Sequence, residues 1–141
     1  VRRRADQIID AGVQLHVEAT TLMYIELGKD LMLLKFLDLV ELARRLSAQD
    51  LRTLVERTRR YGCAESAYYA LYHARLLYPA DVPAGWVETF AWVDPEVIEV
   101  YGVLDNDARR WERSFAERFF DSGRWRSLTA HSTVPGPRAV V

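Results

Sequence analysis

Three histidines, His16, His73 and His131, and one cysteine, Cys63, are the side chains of this 141-residue chain that could supply a base, a nucleophile or a metal ligand near neutral pH. The histidines stand far apart in sequence, so only folding can bring two of them together. No Cys or His cluster has metal-ligand spacing, and neither a glycine-rich phosphate loop nor a nucleophile elbow occurs. Cys63 lies between Gly62 and Ala64, which supply no activating base or charge, and reads as a small core or boundary residue. Being single, it forms no internal disulfide.

His16 falls on the apolar stripe of a helical segment, and Asp38 is a carboxylate inside the leucine-rich segment that comes next. A buried His16–Asp38 pair would fix helix register, and the same pair beside a cavity would act as a general base. Both readings stay open at this point. Tyr68, Tyr69, Tyr72, His73 and Arg75 form the densest polar-aromatic group. They read either as core and interface packing by amphipathic aromatics, the plainer choice, or as a pocket wall that stacks on a planar ligand.

The charged clusters have ordinary explanations. Arg109, Arg110, Arg113, Arg118, Arg124 and Arg126 alternate with Trp111 and Trp125 as a nucleic-acid patch does, but Glu112, Glu117 and Asp121 lie among them. A helical pair such as Arg113 with Glu117 neutralises much of that field. The formal net charge of -1 also argues against a nucleic-acid partner. Asp94, Glu96, Glu99, Asp105 and Asp107 resemble a metal site, yet placement at a helix terminus accounts for Asp94 and Glu96, and no metal is expected.

The elements that must position these residues are helical. One domain's length, half of it apolar, carries a period of 3.6 and no sustained alternation, which predicts an all-α bundle of five to seven helices over residues 1–123 with an extended tail over 124–141. A first helix runs from Asp6 to Leu27, with Ile9, Gly12, His16, Ala19 and Met23 on one stripe, and Gly28 ends it. The second, from about Asp30 to Leu46, is so apolar that it must lie between other elements. Ser47 with Asp50 caps a third helix that stops at Gly62. The fourth, Ala64 to Tyr78, has a stripe of Ala64, Ala67, Leu71, Ala74 and Tyr78 that admits a close helical neighbour. Ala84 to Val93 is a short fifth helix, and Asp94-Pro95 starts a sixth that breaks near Gly102 or Asp105–Asp107 and resumes through Trp111, Phe115 and Phe119. No apolar run reaches the roughly twenty residues of a membrane span, and no secretory leader is visible, so a cytoplasmic location is expected.

Several segments together resemble the helical C-terminal part of a bacterial nucleotidyltransferase-like family of the polymerase-beta type, which often accompanies polysaccharide or peptide natural-product genes. The matching pieces are Asp6-Gln7-Ile8-Ile9-Asp10 with Leu15-His16, Leu34-Lys35-Phe36-Leu37-Asp38-Leu39, Leu42-Ala43-Arg44-Arg45-Leu46, the run from Leu54 to Gly62, Tyr69-Ala70-Leu71 and Val82-Pro83. They span roughly residues 6–83. In that family the chemistry belongs to an N-terminal head with a Gly-Ser turn and an Asp-x-Asp strand, and nothing in this chain matches it. The resemblance therefore implies the helical body without its head, which would precede Val1, and carries over no catalytic residue. It places His16 and Asp38 at positions that look structural in the family. Seventeen arginines against two lysines fit a high-GC bacterial gene.

The resulting expectation is a substrate- or partner-binding body, a homo-oligomer or the subunit of a catalytic-head protein, with no cofactor of its own. A headless body should expose an apolar surface, and the second and fourth helices are the places to find it. The alternatives are a small stand-alone natural-product enzyme, with a pocket lined by Tyr68, Tyr72, His73, Trp86 and His16 or Asp38, and a structural partner of a biosynthetic enzyme.

Overall fold

Local capping chemistry sets some of the helix ends, and packing sets the others. The computed structural model of the chain describes residues 3–129. The long first segment forms two helices, α1 (Arg4–Thr20) and α2 (Leu22–Glu26). They are separated at Thr21, which is extended at φ -87° and ψ 128°. The hydroxyls of Thr20 and Thr21 donate to the His16 and Val17 carbonyls, a back-bonding that competes with continuation of the helix. The break turns Met23 away from the stripe it was expected to join, and it is exposed. Gly28, at φ +68°, takes the left-handed turn after α2.

Helix α3 (Leu33–Ala43) starts later than expected, because residues before it are committed elsewhere: Asp30 is buried and held by Arg124. Helix α4 (Ala48–Tyr61) opens with the anticipated capping box, Ser47 accepting from the Asp50 amide and Asp50 accepting from the Ser47 amide. It closes on Gly62 at φ +66°. Helix α5 (Ala64–Leu77) begins two residues later.

Helices α1 and α5 are the central pair, with α3 and α4 packed beside them. Their crossing is tight because Gly12 has no side chain: a Cβ there would lie 3.3 Å from that of Ala70. Around the crossing Ile8, Phe36, Leu39, Leu54 and Leu71 are fully buried, each such side chain stabilising the fold by about 1.5–3 kcal/mol. Helix α5 is central, as its lack of a polar face implies.

The last third departs most from expectation. The fifth segment is helical only over α6 (Ala84–Glu88) and then turns. Asp94 does cap a helical start, accepting from the Glu96 amide at 2.9 Å, but the helix it caps is a single 3-10 turn, Pro95–Ile98. A two-stranded antiparallel ladder comes next, β1 (Val100–Tyr101) on β2 (Arg109–Arg110), with Val100 opposite Arg110 and Tyr101 opposite Arg109. Strands of two residues are too short to leave an alternating signature. Gly102, at φ +74°, donates its amide to the Thr20 carbonyl at 2.7 Å and ties this hairpin to the end of α1. Ile25, Tyr101 and Trp111 form a second small core there.

Ser114 and Glu117 make a second capping box at α7 (Phe115–Phe119). The tail expected to be extended from residue 124 instead begins as α8 (Arg124–Thr129), with Arg124 forked onto Asp30 at 2.9 and 2.5 Å. The rest of that tail, with His131, lies outside the described residues. Among the described residues there are thus eight α-helices rather than five to seven, and the fold is all-α apart from the small hairpin. No helix among them is long and apolar enough to cross a membrane.

Candidate functional site

The close approach at Gly12 decides which side chains meet. One turn further along α1 stands His16, and one turn back from Ala70 on α5 stands Ser66; their side chains meet with Nδ1 2.9 Å from Oγ. The imidazole also stacks on Tyr69, centroids 4.5 Å apart. Burial disfavours its charged form and pulls its pKa down to about 4, so it is neutral at pH 7. The pair opens on a cleft of roughly 370 Å3 lined by Thr20, Glu65, Val97, Val100, Val103 and Leu104 among others.

Asp38 does not take part. Phe36, Leu39, Val40 and Ala43 turn inward on α3, which leaves Asp38 exposed on the outer face, and the expected pair with His16 is not formed. The ion pair joining α3 to α1 is Lys35 with Glu18. Ser66 was missed by sequence reasoning. Its signal lay in Gly12 and the small-residue stripe of α5, whose meeting brings any side chain one turn away into contact with the facing helix.

The polar-aromatic group divides among separate places. Tyr69 and His73 are core residues, 0% and 1% exposed, with ring centroids 4.2 Å apart. His73 Nδ1–H donates to the Tyr69 carbonyl at 2.8 Å, and burial lowers its pKa to about 4. Its ring lies 4.4 Å from Phe115. Tyr72 and Arg75 line a groove of roughly 380 Å3 with Leu76, Pro79, Val87 and Glu88, and Arg75 also donates to the Val82 carbonyl at 2.6 Å. Tyr68 and Trp86 are half-buried against the core and do not line that groove. Tyr68, Tyr72, His73, Trp86 and His16, expected to line one pocket, are thus not gathered in either of these two clefts. These side chains serve a core, a groove and a cleft.

No protein-family model matches the chain, and no match to it was found among curated proteins or solved structures.

The arginine-rich segment is largely neutralised. Arg109 pairs with Asp107, Arg110 with Glu96, and Arg113 with Asp121 at 2.6 Å; the anticipated Arg113–Glu117 pair gives way because Glu117 caps its own helix. Arg118 is buried with its guanidinium 3.7 Å over the Trp111 ring. Its Nη1, Trp111 Nε1 and Tyr69 Oη have no hydrogen-bond partner among the described residues. Burial lowers the Arg118 pKa and raises that of Tyr69. Among the described residues no group of three or more His, Cys, Asp or Glu side chains could hold a metal ion.

Among the described residues, exposed apolar side chains are densest in one stretch of the chain. Met23, Leu27, Met32, Leu33, Leu34 and Leu37 are all exposed, Leu34 to 67% and Leu27 to 60%. They belong to α2, the first half of α3 and the segment between them. The fourth predicted helix, α5, does not contribute in the same way, since its apolar residues are covered apart from Leu76.

Proposed function

We propose that this chain is the helical binding body of a nucleotidyltransferase-like protein. It docks a partner, the catalytic head, through the apolar surface of α2 and α3. The observation that carries this reading is the run of six exposed leucines and methionines between Met23 and Leu37. Leaving such side chains in water forgoes about 25 cal/mol for each Å2 of apolar area that a partner would cover. Leu33, Leu34 and Leu37 share one side of α3, the arrangement by which a helix presents anchors to a facing groove.

In this reading the body works in a bacterial cytoplasm, in a natural-product or polysaccharide gene setting, binds no cofactor of its own, and leaves the nucleotide and metal to the head. Co-expression with the product of a neighbouring gene that carries a Gly-Ser turn and an Asp-x-Asp strand tests it. The two should copurify, and the double variant Leu33→Asp, Leu34→Glu should lose the partner. Absence of copurification, or retention equal to wild type by the double variant, overturns the reading.

A second reading is favoured by one observation: two clefts of a few hundred Å3, one beside His16 and one beside Tyr72 and Arg75, are each large enough for a small organic molecule. In that reading the body itself holds the small-molecule substrate.

A further inference from the structure

We propose that Ser66 is a nucleophile, activated by His16, toward neutral esters with a short apolar acyl group bound in the cleft between α1, α5 and the 95–104 segment. The proposal rests on the geometry of this cleft and is independent of the docking surface on α3. Ser66 Oγ and His16 Nδ1 are already within hydrogen-bond distance at 2.9 Å, the juxtaposition that a serine needs to lose its proton as it attacks. With the neutral imidazole protonated at Nε2, Nδ1 accepts from the serine hydroxyl. The ring is held in that orientation by stacking on the fully buried Tyr69, so the base is locked before any substrate arrives.

The surroundings fit the chemistry. Ser66 stands in the first turn of a 14-residue helix, where the amides of Ala64, Glu65 and Ser66 precede the first intrahelical acceptor, and the Cys63 side chain makes no capping bond to them. Of these, the amides of Glu65 and Ser66 belong to residues that line the cleft, and they would be the donors to an oxyanion formed there. Val97, Val100, Val103 and Leu104 give the acyl group an apolar wall. Glu65, Asp94 and Glu96 at the same cleft select against anionic substrates, although Asp94 also caps its own turn and Glu96 pairs with Arg110.

The reaction balances without any other reagent than water. Ser66 Oγ bonds to the ester carbonyl carbon as its proton passes to His16 Nδ1, and the carbonyl electron pair moves onto oxygen. Collapse breaks the ester C–O bond, and the departing alkoxide takes the proton from Nδ1. Water then attacks the acyl-serine with His16 again accepting a proton, and the carboxylic acid leaves as Ser66 regains its hydrogen.

The test treats the purified chain with an alkyl fluorophosphonate and maps the adduct by peptide mass spectrometry. One adduct on Ser66 is expected, absent from Ser66→Ala. His16→Asn, which keeps a hydrogen-bonding group beside Ser66, should slow labelling by about 100-fold or more with an unchanged circular dichroism spectrum. p-Nitrophenyl butyrate should be hydrolysed faster than the anionic p-nitrophenyl hemisuccinate. A wild-type chain that takes no label on Ser66 overturns the proposal whether or not either variant folds, and so does labelling of His16→Asn at the wild-type rate.

Discussion

His16 and His73 are both held near pKa 4 by burial, against about 6.5 in an unfolded chain, and this difference is a statement about stability. Between those two values the unfolded chain binds protons that the folded chain does not. Stability is therefore full above about pH 6.5, falls as the pH drops toward 4, and the loss attributable to each histidine is on the order of 3 kcal/mol. Asp50, Glu117 and Asp121 are held below their usual range, the first two by the serines they cap and Asp121 by Arg113, so their contribution is lost only at more acid pH. Urea unfolding at about pH 7.5 and about pH 4.5 should show the drop, and His73→Leu should remove roughly half of it. An unchanged midpoint between the two pH values would refute the burial of these rings. That His16 would turn toward the core was legible from its place on the apolar stripe, although it is half-buried at the edge of a cleft rather than enclosed. That its partner would be Ser66 rather than Asp38 was not, because Asp38 sits two positions from Phe36 and one from Leu39, and which side of α3 faces inward is decided by packing across helices.

At the scale of elements, the α1–α5 crossing carries most of the organisation, and Gly12 is its contact point. Gly12→Ala would place a methyl group 3.3 Å from Ala70 Cβ, in a crossing where the Ser66 carbonyl is also close at 3.6 Å. The expected cost is about 1–3 kcal/mol in thermal or urea unfolding, and Ala70→Gly in the same chain should restore part of it. Failure of the second change to rescue the first would mean that the helices do not touch there. Capping residues made the boundaries of α4 readable in advance: Ser47, Asp50 and Gly62 act as their types suggest. The break at Thr21 and the Val100–Arg110 hairpin were not readable, since one depends on two hydroxyls folding back onto the helix and the other on two residues per strand. The start of α8 was obscured for a related reason: Arg124 is drawn to Asp30, ninety-four positions earlier in the chain, by a bond that no local pattern announces.

For the molecule as a whole, the all-α architecture followed from period and composition, whereas the location of the uncovered face followed only from the packing. Both the second and fourth predicted helices were apolar enough to supply it; α5 spends its apolar residues between α1 and α3, and α3 keeps Leu33, Leu34 and Leu37 outside. An exposed set of this kind is expected to draw chains together when no other partner covers it. Light scattering of the purified chain across a concentration series is the most direct measurement of that claim. A mass above the 16.3 kDa of a single chain that rises with concentration is expected, with a return to 16.3 kDa in Leu33→Asp, Leu34→Glu. A wild-type chain that stays at 16.3 kDa throughout, with a dye-binding signal for exposed apolar surface no greater than that of the double variant, would contradict it.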